Sequence, residues 1–151
     1  MSFQLSQRSL SKLKGVDNRL VECVTLAIQY SKVDFAVTEG VRTPARQREL
    51  FAQGASQIKE GGTHVQGRAV DLMAFLGNRA SWELNLYDDI ADAMKRAAIE
   101  VGVGIRWGAA WNVPDIRNWK GTMEEAMNFY IDERRKQGKR PFIDGPHFEL
   151  V

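Results

Sequence analysis

The chain has 151 residues, 44% of them hydrophobic and 26% charged, ordinary values for a globular protein. That is enough for one sizeable core and too short for two ordinary ones, so a single domain over residues 1–151 is expected. A net charge of +2 eases approach to an anionic polymer. No basic face interleaved with aromatics is visible, and nucleic acid is not expected as a partner. The one cysteine, Cys23, excludes an internal disulfide, and its apolar helical surroundings mark it as a buried, inert thiol. No stretch nears the roughly 20 apolar residues of a membrane span, so no stable membrane insertion is expected. The N-terminus shows no basic segment followed by an apolar run, hence no signal peptide.

In chain order, a short helix is expected over residues 6–14, ending at Gly15. Asp17 caps a second helix to about Ser31, with Leu20, Val24, Ala27 and Ile28 on its core face. Residues 34–39 alternate as a strand. Pro44 suits the first turn of a helix to about Ala52, stopped by Gly54. Residues 55–63 read as a mobile polar loop. Ala69 to Phe75 is a largely apolar strand, followed by a turn at Gly77-Asn78-Arg79. A helix over about 82–101 buries Ile90, Ala93, Met94, Ala97, Ala98 and Val101, and Gly102 closes it. Residues 105–111 read as a strand and 113–120 as a loop. Thr122 and Glu125 form a capping box for a helix to about Gln137. Residues 142–144 and 147–151 supply the last strand or strands. This alternation taken alone suggests a parallel α/β protein.

The chemistry concentrates in two segments, Thr63-His64-Val65-Gln66-Gly67-Arg68-Ala69-Val70-Asp71 and Asp144-Gly145-Pro146-His147-Phe148-Glu149. They hold both histidines of the chain. A histidine in a Gly-rich loop is commonly just an exposed polar group, and an Asp beside a turn just a cap. Asp71 resists that reading. It lies in an apolar strand, where Asp is depleted and a buried charge is costly unless paired or metal-bound. Two imidazoles and a carboxylate are the ligand set of a catalytic zinc site, and a second carboxylate nearby can act as general base.

His64-Val65-Gln66-Gly67-Arg68-Ala69-Val70-Asp71 resembles the Ser-x-His-x-x-Gly-x-Ala-x-Asp signature of the LAS metallopeptidases. That group contains D-alanyl-D-alanine carboxypeptidases and dipeptidases and L-alanyl-D-glutamate endopeptidases, many of them phage endolysins. The departure is upstream, where Gly62 stands in place of Ser and Thr63 directly precedes the histidine. Asp144-Gly145-Pro146-His147 is similar to the family's second signature, and Gly40-Val41-Arg42-Thr43 with Gln47 and Leu50 is similar to its Gly-x-Arg-Thr-x-x-x-Gln-x-x-Leu segment. Trp107-Gly108-Ala109-Ala110-Trp111 resembles its Trp-Gly-Gly-x-Trp strand, with Ala109 replacing the second glycine.

The resemblance implies an α+β fold of the Hedgehog/DD-peptidase-like kind, a small antiparallel sheet with helices packed around it. It implies Zn²⁺ on His64, Asp71 and His147, with Asp144 as general base. It also implies that Arg42, which would otherwise read as a surface arginine, steadies the polarised carbonyl oxygen. Thr63 and Glu149 fall around the ligands, and Glu149 either orients one of them or makes a structural salt bridge. Trp107 and Trp111 either pack in the core or wall the substrate cleft. The implied activity is cleavage of the L-alanyl-D-glutamate bond of peptidoglycan stem peptides by a monomeric endolysin. Such an enzyme would be held in the host cytoplasm until release and would lack a separate wall-binding domain. A D-Ala-D-Ala carboxypeptidase and a non-catalytic zinc-bearing wall-binding module are the alternatives. Imidazole ligands disfavour an octahedral metal site in another kind of hydrolase.

Overall fold

A computed structural model describes residues 2–56 and 61–151. The loop expected over residues 55–63 therefore lies partly outside the described residues. The described residues form the α-helices α1 (Gln7–Lys12), α2 (Asn18–Tyr30), α3 (Pro44–Ala52), α4 (Leu84–Val101) and α5 (Met123–Lys136). The strands are β1 (Asp34–Glu39), β2 (Ala69–Leu76), β3 (Arg79–Ser81), β4 (Ile105–Trp107) and β5 (His147–Leu150). Local chemistry sets the helix ends. The Asp17 carboxylate accepts from the Arg19 amide. Thr122 and Glu125 make both bonds of a capping box, which satisfies amides that the first helical turn leaves free. Gly102 takes a left-handed conformation at the end of α4, with φ 82°, where a Cβ would be strained.

Every ladder in the sheet is antiparallel. The order is β1-β2-β5-β4, and β3 pairs with β2. Asp71 is opposite both Glu39 and His147, and Ala74 is opposite both Phe35 and Ser81. It follows that β1 holds one edge of β2, while β5 and β3 share the other. The sheet corrects the parallel arrangement that the element order alone suggested. The fold is α+β, as the resemblance implied.

Three local expectations are also corrected. Residues 79–81 pair as a strand instead of forming a turn and helix start, because Gly77 (φ 61°) closes a two-residue hairpin loop between Leu76 and Arg79. The strand at 105 ends at Trp107, and residues 108–111 turn away. Residues 142–144 join no ladder; only His147–Leu150 does.

The pleat sorts the strands into two faces. Val70, Leu72, Ala74, Phe35, Val37, Ile105, Trp107, Phe148 and Leu150 belong to one core with the apolar sides of α2, α4 and α5. The alternate positions, Asp71, Arg106, His147 and Glu149, fall on the opposite face. Glu39 reaches that face because the register slips between Val37 and Glu39, and the bulge puts Glu39 opposite Asp71 where Thr38 would otherwise stand. Among the described residues, no helix is long and apolar enough to cross a membrane.

Candidate metal centre and active-site cavity

The polar face opens into a cavity of about 620 Å³. His64 enters it from the loop before β2. Gly67 shapes that loop with φ 72°, and a Cβ there would come within 2.8 Å of the Gly15 carbonyl. The loop is pinned on both sides, by the Arg42 amide donating to the His64 carbonyl at 3.0 Å and the Asp17 amide donating to that of Gly67 at 2.8 Å. Asp71 and His147 face each other across β2 and β5. Gly108 completes the arrangement. Its amide donates to the His147 carbonyl and its carbonyl accepts from the Asp144 amide, both at 2.8 Å. A Cβ on Gly108 would lie 2.3 Å from the Asp144 oxygen, so this glycine is required by close approach.

His64 Nε2 lies 3.1 Å from His147 Nδ1 and 3.2 Å from Asp71 Oδ1, and His147 Nδ1 lies 3.6 Å from the same oxygen. The far ring nitrogens fix the tautomers. His64 Nδ1 is 2.9 Å from the Gly40 carbonyl, which can only accept, so Nδ1 carries the proton. His147 Nε2 is 2.7 Å from Glu149 Oε1, so it too is the donor. In neutral imidazoles with these tautomers, two lone pairs converge with a carboxylate oxygen on one point. Tetrahedral ligands held about 2.0–2.1 Å from one ion are separated by about 3.3 Å, so the observed triangle fits a single cation. These three residues form the metal-competent group among the described residues.

Without a metal the group holds a proton that a bound cation would displace. Burial works against a charged His147, but the Asp71 and Glu149 carboxylates outweigh it and push its pKa up to about 9. Burial likewise opposes ionisation of Asp71, yet the adjoining His147 and His64 rings hold its carboxyl well below the usual range. The group attracts positive charge, and a bound cation would satisfy all three acceptors at once.

Asp144 lines the same cavity. Burial, with the nearby Asp71 charge, raises its pKa. Arg42 is fixed in a fork, with Nε and Nη2 donating to the two Glu39 oxygens at 2.7 and 2.9 Å and Nη1 donating to Gln47 Oε1 at 2.7 Å. Its Nη2 lies 3.7 Å from Asp71 Oδ2, and its side chain is 9% exposed, so it is no free surface arginine. Glu149 lies against His147, and the Thr63 hydroxyl reaches Glu149 only at 3.4 Å.

The two tryptophans part company. Trp111 lines the cavity, its ring centroid 5.4 Å from that of His147. Trp107 is fully buried, donates from Nε1 to the Gly145 carbonyl at 2.7 Å and stacks on Phe148. The substrate-contact expectation for Trp107 is therefore corrected. It sits on the core face of β4, two residues from another core position, Ile105.

Several cavity residues carried no local signal in the sequence: Glu39, Arg106, Tyr130, Arg134 and Phe142. Glu39 stood next to the Arg42 motif, but only the bulge explains its direction. The others come from β4, from α5 and from the segment after it, and meet only through the tertiary fold.

Comparison with known proteins agrees with this geometry. The chain is 30% identical over 154 residues to the L-alanyl-D-glutamate peptidase of Escherichia phage T5, covering all of both chains. It superposes on the crystal structure of the Serratia marcescens L-Ala D-Glu endopeptidase ChiX with a TM-score of 0.73 and 35% identity, over 99% of this chain and 91% of that one. Residues 1–151 match the family described as phage L-alanyl-D-glutamate peptidase. Matched along its whole length by the family model and by a curated relative, the chain belongs to the phage L-alanyl-D-glutamate peptidase family.

Proposed function

We propose that this chain is a zinc-dependent endopeptidase that cuts the L-alanyl-D-glutamate bond of peptidoglycan stem peptides, and that it acts as a monomeric phage endolysin. The observation that carries the reading is the convergence of three ligand atoms, from His64, Asp71 and His147, in one cavity with Asp144. Two imidazoles and one carboxylate suit zinc better than the hard cations, which prefer oxygen-only sites. When bound, zinc supplies Lewis acidity and brings the pKa of a coordinated water toward about 7.

The chain's own groups divide the remaining work. Asp144 takes a proton from the attacking water at a carboxylate oxygen and returns it to the nitrogen of the departing D-glutamyl residue as the C–N bond breaks. Its raised pKa makes it a stronger base than a solvated carboxylate. Arg42, held in its fork by Glu39 and Gln47, offers a permanent positive charge to the carbonyl oxygen as that oxygen gains charge. Glu149 keeps the His147 ring in one tautomer and orientation, and Thr63 supports Glu149 from the loop. Trp111 forms an apolar wall beside the reacting carbonyl.

A lytic enzyme of this kind would be made in the host cytoplasm and reach the wall when the membrane is permeabilised. Severing stem peptides then opens the cross-linked mesh, which trimming of chain ends does not. Purified peptidoglycan digested with the zinc-loaded chain should yield released peptides with new N-terminal D-glutamate and intact glycan strands that keep L-alanine, read by mass spectrometry. Release of free D-alanine alone would mark a carboxypeptidase. Zinc binding without any release would mark a wall-binding module.

A further inference from the structure

Besides Arg42, the cavity has two further arginines in its lining to which the reaction above gives no task. Arg106 and Arg134 both line it, and neither makes a salt bridge with a carboxylate among the described residues. Arg106 spends Nε on the Trp111 carbonyl at 3.0 Å and lies over the Trp111 ring, 5.0 Å from its centroid. Its two terminal nitrogens have no hydrogen-bond partner among the described residues. Arg134 donates from Nη2 to the Arg140 carbonyl at 3.1 Å, while its Nε is buried without a partner among the described residues. The indole Nε1 of Trp111 is likewise buried and unpaired among them. Buried donors are as a rule satisfied, so two orphans among the lining of one cavity, with two arginines that make no salt bridge among the described residues, describe a site lacking its acceptor. The carboxylates nearest the metal group cannot fill that need. Glu149 stands opposite Arg106 and feels its charge, but it makes no salt bridge with it and spends Oε1 on His147, while Asp71 is held by both imidazoles.

We infer that Arg106, Arg134 and the Trp111 indole N–H form a carboxylate-binding subsite that reads the D-glutamyl residue on the amine side of the scissile bond. The inference rests on the peptidase reading. A glutamyl residue has two carboxyl groups, and its peptide continues through one of them, so the other is left as a free anion close to the bond being cut. Such an anion offers two oxygens with several lone pairs, which match a planar guanidinium and a neighbouring N–H. The Trp111 ring lies beside His147, so a carboxylate held there stays within one residue of the reacting carbonyl. The subsite thereby selects glutamate over residues with no second carboxyl group and sets the register of the stem peptide.

Two synthetic stem peptides test it, identical except that the free glutamyl carboxylate of one is a primary amide in the other. The wild-type, zinc-loaded chain should favour the carboxylate peptide by roughly 10- to 100-fold in kcat/KM. Arg134→Gln and Arg106→Gln should each bring that ratio toward one, chiefly by slowing the carboxylate peptide. Trp111→Phe, which keeps a ring and removes the N–H, should lower the ratio by a smaller factor. A purely structural role for these side chains would slow both peptides alike and leave the ratio unmoved. Equal wild-type turnover of the two peptides, or an unchanged ratio in both arginine variants, overturns the subsite while leaving the peptidase reading intact. Cleavage of neither peptide by the wild type overturns the peptidase reading and the subsite with it.

Discussion

The two faces of the sheet are built from the same short strands and obey opposite rules. In β5, Phe148 and Leu150 are buried in an apolar core, while His147 and Glu149, interleaved with them, are bound to each other in a polar cavity. In β2, Val70, Leu72 and Ala74 pack beneath the helices, and Asp71 between them meets two imidazoles. One face gains stability from area removed from water. The other keeps polar groups with specific partners and leaves some unsatisfied. The contrast teaches that substitutions one residue apart should fail in different ways, one by unfolding and the other by loss of chemistry at an intact fold.

The sharpest separation comes from neighbouring positions around β5. Phe148→Ala removes a fully buried ring that stacks on Trp107 and should cost about 3–5 kcal/mol of stability by chemical denaturation. Turnover by molecules that remain folded should stay close to wild type. Asp144→Asn preserves shape and should leave the denaturation midpoint nearly unchanged while slowing peptide cleavage by roughly 10²–10⁴-fold. If the two variants showed the same pattern, the division between faces would be wrong.

The division was partly legible in the sequence. Caps at Asp17, Thr122 and Gly102 are local chemistry, and the helices they bound came out within a residue or two. The His64–Asp71 and Asp144–His147 segments were recognisable because their residue types and spacings are unusual in a loop or an apolar strand. What failed was non-local. The strand Arg79–Ser81 is too short to show alternation and exists because the Gly77-Asn78 loop folds it onto β2. Trp107 and Trp111 looked equivalent until the strand ended between them. Glu39 points at Arg42 only through a bulge whose cause lies in pairing with β2, and Arg106 and Arg134 reach the cavity from separate parts of the chain.

A smaller effect separates the core from an acidic spot at its margin. Asp88 is buried on α4, and burial, together with Asp89, Glu124 and Asp92, raises its pKa to about 6. The folded state then binds the proton more tightly than the unfolded state. The contribution to stability is full below the unfolded value near 3.8 and is lost as pH rises through about 6. Stability attributable to this group should thus fall between about pH 4 and pH 6, by about 2–3 kcal/mol in all. Asp88→Asn should flatten that slope and raise the melting temperature at pH 7. A variant with the wild-type slope would remove Asp88 from the account.

Smaller again is the effect of Glu149→Gln, which keeps size and removes the anion facing His147. Metal affinity should fall roughly 10- to 100-fold with the fold unchanged, as measured by competition with a chelating indicator. Unchanged affinity would make Glu149 a structural partner only.

The central claim is that His64, Asp71 and His147 converge to hold one metal ion. Calorimetric titration of metal-free protein with Zn²⁺, on the wild type and on His147→Ala, tests it most directly. The account predicts one equivalent bound tightly by the wild type and a strongly weakened or absent site in the variant. One full equivalent bound equally well by His147→Ala would contradict it.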